Sequence, residues 1–132
     1  MRTFNLSVLS VLLVTQSAPT QAADLNGAWT IDASACDQIF AKENNRLVFK
    51  QDADLHAGGV IVQGRQITGT FQKCTVKSLH DDGTNVQVTA SCSDGVAVSD
   101  VTFDLKISGE NKFTLSSKAP VPVEMQYARC SL

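Results

Sequence analysis

Apolar and polar residues alternate with a period of two along most of the chain beyond residue 23. In the clearest run, single polar residues separate Val86, Val88, Ala90 and Cys92. Turn-forming residues interrupt these runs roughly every 8–12 positions, and no segment of about ten residues or more keeps a helical period of 3.6. The pattern is typical of an all-β protein built from short strands.

The alternating runs predict about eight consecutive strands. Their apolar positions are Trp29 and Ile31; Leu47 and Phe49; Val60 and Val62; Ile67 and Phe71; Val86 to Cys92; Val101, Phe103, Leu105 and Ile107; Phe113 and Leu115; and Val123, Met125 and Tyr127. One short helical stretch is expected between Ser34 and Phe40, with Asp32 or Ser34 as its N-cap residue.

Short connections between successive strands favour an antiparallel up-and-down barrel of about eight strands over a Greek-key sandwich. Closing the sheet into a barrel leaves no exposed strand edge on which another chain could pair. A β-sandwich remains the alternative, because sequence periodicity does not reveal whether a sheet closes.

The first 23 residues have the features of a secretory signal peptide. Arg2 supplies the positive start, Leu6–Val14 the apolar middle, and residues 17–23 a cleavage region of mostly small residues. The apolar run is far shorter than the roughly 18–20 residues that cross a bilayer. Cleavage after Ala22 or Ala23 leaves one exported domain, residues 24–132, in the periplasm or outside the cell.

Cys36, Cys74, Cys92 and Cys130 are the only cysteines, and none belongs to a Cys-x-x-Cys pair. An even number of cysteines in a small exported chain predicts disulfides rather than a zinc site. Cys36 follows the first strand and Cys130 ends the last, and these two strands are neighbours in a closed barrel. We therefore expect the nested pairing Cys36–Cys130 and Cys74–Cys92.

The inner pair is predicted from a hairpin. Asp and Gly in the turn Asp81-Asp82-Gly83-Thr84 tolerate the positive backbone angles that tight hairpins need. Centring the hairpin on Gly83 places Cys74 directly opposite Cys92, within bridging range, and Ser78 opposite Val88.

Composition excludes two classes of protein. Apolar residues make up 43% of the 132 residues, which is too many for a disordered chain. The 11 basic and 13 acidic residues give a net charge of −2, so an electrostatic nucleic-acid binder is not expected. We expect a monomer with no membrane span.

The chain lacks the usual signatures of catalysis. No Gly-x-Ser-x-Gly elbow occurs, and His56 and His80 form no metal-ligand pair and lie beside turn residues. Asp100 and Asp104 alternate with an apolar face, so we expect them to point to solvent. We predict that the protein is not an enzyme and that it uses no cofactor and no metal.

Gly27-Ala-Trp29 on the first predicted strand resembles the opening of lipocalins and related calycin barrels. The resemblance implies that Trp29 closes the barrel floor and that a basic residue near the end of the last strand, here Arg129, packs across it. The other interpretation is that Trp29 is an ordinary core residue and Arg129 a solvated strand end. The same opening, followed by Cys36, also resembles the small periplasmic metalloprotease inhibitors of bacteria, which are eight-stranded barrels.

An eight-stranded barrel is filled by its own side chains or holds one small ligand. The first functional hypothesis is therefore binding of a small apolar molecule, with Phe71, Val88, Phe103 and Met125 as candidate lining residues. The alternative is a protein-interaction module or protease inhibitor acting on a secreted partner through loops or through the segment Ala23–Asn26.

Overall fold

The computed structural model describes residues 24–117 and 122–132, so the predicted signal peptide lies outside the described residues. The strands are β1 Gly27–Thr30, β2 Phe40–Glu43, β3 Arg46–Phe49, β4 Val60–Gln63, β5 Gln66–Gly69, β6 Lys73–Asp81, β7 Asn85–Ser93, β8 Val98–Ile107, β9 Lys112–Ser117 and β10 Val123–Arg129. The one α-helix, α1, spans Cys36–Ile39, and short 3₁₀ turns span Ala33–Ala35 and Ala53–Leu55.

Eight of these strands form a closed antiparallel barrel, which confirms the predicted fold class and excludes the sandwich. Around the barrel the order is β1-β10-β9-β8-β7-β6-β5-β4, and β4 pairs with β1 to close the ring. From β4 to β10 the chain is an uninterrupted meander of neighbouring strands. The first strand thus lies between β10 and β4 and joins the two ends of the meander.

Residues 31–59, here called the covering segment, leave the barrel after β1 and return at β4. The prediction that Leu47 and Phe49 belong to a barrel strand is wrong, because β3 pairs only with β2 in a separate two-stranded sheet. The turn between them is made by Asn44 and Asn45, both with positive φ, a conformation that asparagine tolerates better than most residues. β3 therefore pairs with β2, its neighbour in sequence, and not with a barrel strand.

The predicted helical stretch is present but ends one residue early, at Ile39, and Phe40 begins β2. Asp32 caps the 3₁₀ turn that precedes the helix by accepting hydrogen bonds from the Ser34 hydroxyl at 2.6 Å and the Ser34 N–H at 3.0 Å. These bonds hold the pKa of the Asp32 carboxyl below its usual value. Ile31, predicted to continue the inward face of β1, is 48% exposed because the strand ends at Thr30.

The outer wall of β1 and β4 forms one hydrophobic core with the covering segment. Its buried members are Ala28, Ala35, Ile39, Phe40, Ala53, Ile61 and Cys130. Gly59 allows the close contact, because a Cβ there would lie 2.5 Å from Cζ of Phe40 and 2.5 Å from the backbone oxygen of Trp29. A second core lies on the inner face and comprises Cys74, Ala90 and Cys92 with Ile67, Val101 and Phe103 around them.

A β-bulge at Lys77 changes the register of the hairpin formed by β6 and β7. Between the bulge and the turn, Ser78 pairs with Thr89, so the predicted pairing of Ser78 with Val88 is wrong by one residue. Beyond the bulge, the extra residue restores the predicted register. Without it, the register at the turn would place Ser93, and not Cys92, opposite Cys74.

Arg65 stabilises this bulge from the neighbouring hairpin. Its guanidinium donates to the backbone oxygen of Val76 at 2.7 and 3.1 Å and to that of Lys77 at 3.1 Å. The Val76 N–H donates in turn to the Arg65 carbonyl at 2.8 Å. Two backbone carbonyl groups at the bulge therefore have a charged partner.

Both bridges of the nested pairing are present. Cys36–Cys130 spans 94 residues and ties the covering segment to the end of β10, with the two Cα atoms 5.7 Å apart. Cys74–Cys92 joins directly opposed residues of β6 and β7 on the inner face, with Cα atoms 4.0 Å apart. The Cys36–Cys130 bridge therefore cross-links the outer core, and the Cys74–Cys92 bridge cross-links the inner core.

Because loop-closure entropy grows with the length of the closed loop, we expect the outer bridge to contribute more to stability. Replacing Cys36 and Cys130 together by alanine should lower the free energy of unfolding by about 4.7 kcal/mol, against about 3.2 kcal/mol for Cys74 and Cys92. Urea unfolding of the two double variants measures both values. A larger loss for the inner pair would contradict the loop-entropy account.

Candidate functional site

Trp29 and Arg129 face each other at one end of the barrel interior. They are directly paired on β1 and β10. The guanidinium carbon lies 4.3 Å from the centre of the indole ring, which is a cation–π contact. We call this end of the barrel, where the Arg129 guanidinium covers the indole ring, the floor.

Arg129 also holds the segment that precedes β1. Its guanidinium donates to the backbone oxygens of Asn26 and Asp24, the latter at 2.7 Å, and to that of Glu110 in the β8–β9 turn at 3.0 and 3.2 Å. The Trp29 Nε1–H donates to the Leu25 oxygen at 2.9 Å. Residues 24–26 are thereby fastened across this end of the barrel.

Gly27 makes room for this contact. It has a φ of +135°, and a Cβ at this position would lie 3.0 Å from Nη1 of Arg129. Any other residue would therefore be strained in its backbone and would press on the guanidinium. Gly27, Trp29 and Arg129, the three floor residues predicted from the sequence, form one contact group.

Above the floor the barrel encloses a cavity of about 430 Å³. It extends from the segment 24–26 at the floor to Gln72 in the β5–β6 turn. Its apolar lining consists of Leu25, Val60, Val62, Ile67, Cys74, Val76, Leu79, Val88, Phe103, Leu105, Phe113, Leu115 and Tyr127. The size falls within the range of small-molecule pockets, and the lining is mostly aliphatic and aromatic.

Two of the four lining residues predicted from the sequence do line this cavity: Val88, which is buried, and Phe103. Met125 is half-buried opposite Leu115 and does not reach the cavity lining. The prediction for Phe71 is wrong. Its side chain is 77% exposed, because β5 ends at Gly69 and the turn that follows breaks the alternation.

Leu79 is a lining residue that the alternation placed on the wrong face. The bulge at Lys77 reverses the parity of β6, so that Leu79 points inward and Ser78 does not. Residues 24–26, which the alternative inhibitor hypothesis requires as a free arm, form part of the cavity wall. The odd spacing between the apolar residues Val76 and Leu79 is the signal in the sequence for the bulge.

Three aromatic side chains connect the floor to the cavity. The rings of Trp29 and Phe113 are 4.7 Å apart, and those of Phe113 and Tyr127 stack at 5.1 Å. Burial raises the pKa of the Tyr127 phenol above its ordinary value of 10.0. The phenol is therefore uncharged at physiological pH.

Several charged groups lie on the outer surface of the barrel. Lys77 and Asp100 form an exposed ion pair at 2.9 Å, and Asp104 accepts a hydrogen bond from the Gln87 amide at 3.1 Å. His80 is exposed on the outer wall of the barrel, in a shallow polar depression. Within residues 24–117 and 122–132, no group of three or more His, Cys, Asp or Glu side chains could hold a metal ion.

In the described part of the chain, none of the helices has the length and apolar character needed to cross a membrane. Comparison of the chain with protein-family models, with curated proteins and with solved structures found no match. The assignment of a function therefore depends on the geometry of the barrel interior.

Replacing Arg129 should loosen the floor. Arg129→Met removes the cation–π contact and the hydrogen bonds to three carbonyl groups, and we expect a loss of about 2 kcal/mol in the free energy of unfolding. The matched control is Arg46→Met on the exposed β3, which should change it by less than about 0.5 kcal/mol. Urea unfolding measures both, and equal losses would contradict the role of Arg129.

Tyr127 is the only tyrosine in the chain, so its ionisation can be followed by ultraviolet absorbance. The midpoint should lie above 10.0 in the folded protein and return to about that value in urea. The raised pKa belongs to the folded state, so the neutral phenol contributes to the free energy of unfolding. This contribution is complete below pH 10.0 and is lost as the pH rises through the folded-state pKa. Tyr127→Phe should remove this alkaline loss of stability, and an unshifted midpoint would contradict it.

Proposed function

We propose that this protein is an exported, non-enzymatic barrel that binds one small apolar molecule inside the barrel. The observation that carries the proposal is the apolar cavity of about 430 Å³ above the Trp29–Arg129 floor. The two disulfides are consistent with export to an oxidising compartment, the periplasm or the cell exterior.

The binding energy would come from burial of apolar surface. Each methylene group transferred from water into such a cavity contributes about 0.8 kcal/mol, or about a fourfold gain in affinity. The walls are tied by two disulfides and a closed hydrogen-bonded sheet, so little ordering of the protein is required on binding. The pocket is then preformed, and its rigid frame consists of the floor, the covering segment and the inner disulfide.

Inhibition of a secreted protease is the alternative, and it has less support. An inhibitor of this kind needs a free, extended segment ahead of β1. Asp24 and Asn26 are instead bound through their carbonyl groups to Arg129, and Leu25 accepts a hydrogen bond from Trp29. Ala23 lies outside the described residues.

The uncharged probe N-phenyl-1-naphthylamine tests the proposal, because its fluorescence rises in apolar surroundings. We expect saturable binding of one probe per chain. Trp29 is the only tryptophan and contacts Phe113 of the cavity wall, so excitation of the indole should sensitise the bound probe. Saturation without energy transfer from Trp29 would place the probe outside the barrel.

Filling the cavity should abolish this binding. Val88→Phe places a larger side chain in the cavity and should weaken the probe's affinity by at least about tenfold. Val98→Phe is the matched control, since Val98 is 72% exposed on the neighbouring β8, and it should leave affinity within about twofold. Leu105→Phe, at a half-buried lining position, gives a second test if Val88→Phe folds poorly. Undiminished binding in both filled variants would overturn the proposal.

A further inference from the structure

We propose that the cavity selects an uncharged apolar ligand and discriminates against anionic amphiphiles such as fatty-acid carboxylates. This inference rests on the proposed function and specifies the chemical class of the ligand. It depends on which charged groups face the cavity and on which of these are already occupied.

The described residues that line the cavity include no Lys, Arg or His. Their one charged side chain is Asp24, which is exposed at the floor and accepts a hydrogen bond from the Asn26 N–H at 2.9 Å. A negative charge at the edge of the cavity repels a ligand carboxylate and offers it no partner. Burying an ionised carboxylate without a partner is strongly unfavourable.

Arg129 lies at the floor, bound to the segment 24–26, and makes four hydrogen bonds there to backbone oxygens. Its guanidinium donates to the carbonyl groups of Asp24, Asn26 and Glu110, and one face of it covers the Trp29 ring. Recruiting it to a ligand would release the floor segment. The structure thus uses this positive charge for closure of the barrel and does not present it to a ligand.

The remaining polar groups in the lining are neutral. The Asn26 side-chain oxygen accepts from the Gly64 N–H at 2.7 Å, which leaves the Gln72 amide and the neutral Tyr127 phenol as the polar side chains of the wall. Such groups can hydrogen-bond a ligand hydroxyl or carbonyl. They do not compensate a full charge removed from water.

Two positive groups that are not among the described lining residues need a control, because a positive charge near the cavity would attract a carboxylate. Lys118 lies outside the described residues and is replaced in Lys118→Gln. Cleavage after Ala23 would leave an ammonium group on Asp24, where its own carboxylate opposes the charge. The protein is therefore purified with its mature N-terminus.

The test compares three ligands of equal chain length for displacement of N-phenyl-1-naphthylamine at neutral pH and below their critical micelle concentrations. We expect decan-1-ol to bind at least about tenfold more tightly than decanoate, and decylammonium, which the Asp24 carboxylate attracts, to bind more tightly than decanoate. Decanoate binding as tightly as either of the other two ligands would overturn this inference and leave the proposed function standing. Failure of the probe and all three ligands to bind would overturn both.

A variant designed to gain affinity for decanoate gives a second test of this inference. Leu79 lines the cavity but is 50% exposed, so a lysine there can reach inward while its ammonium group stays hydrated. Leu79→Lys should raise the affinity for decanoate by about tenfold relative to that for decan-1-ol. Val98→Lys on the outer wall is the matched control and should change neither affinity. An equal gain in Val98→Lys, or a loss of decanoate affinity in Lys118→Gln, would contradict the inference.

Discussion

Closure of the barrel depends on β1, a strand of four residues that is buried on both faces. Trp29 packs inward against Phe113, and Ala28 packs outward beneath the covering segment. A strand this short forms few ladder hydrogen bonds, so packing and side-chain contacts must hold it between β4 and β10. Arg129 supplies the inner contacts by binding the indole ring and the carbonyl groups ahead of the strand. The Cys36–Cys130 bridge supplies a covalent link on the outer side.

The cavity exists because large side chains are unevenly distributed inside the closed sheet. Aromatic rings concentrate at the floor, where Trp29 makes a tilted contact with Phe113 and Phe113 stacks on Tyr127. A second packed group surrounds the Cys74–Cys92 bridge. Between the two groups, aliphatic side chains and two glycines line the wall, and they do not fill the space that a barrel of eight strands encloses. The Arg129 guanidinium at the floor binds backbone carbonyl groups, so none of the described lining residues presents a positive charge to the cavity.

Several features could be predicted because they depend on local pattern or on adjacency in the chain. Alternation identified the inward faces of β7 and β8, including the cavity residues Val88 and Phe103. The contact between Trp29 and Arg129 does not follow from alternation, and only the resemblance of Gly27-Ala-Trp29 to calycin openings implied it. Other features could not be predicted from the sequence, because they depend on which of several possible strands a given strand pairs with. Phe49 follows the same alternation as a barrel strand, yet β2 is the closer partner and draws β3 into a separate sheet.

By itself, the sequence determined the class of fold and the disulfide framework, because alternation sets which side chains share a face and chain order sets which strands can be neighbours. The tertiary structure decided the bulge at Lys77, the inward turn of Leu79 and the outward position of Phe71. It also decided that Arg129 closes the floor and leaves no positive charge from the described residues in the cavity lining. A one-residue shift in register, or the partner of a guanidinium, depends on atoms distant in sequence, and these meet only when the barrel closes.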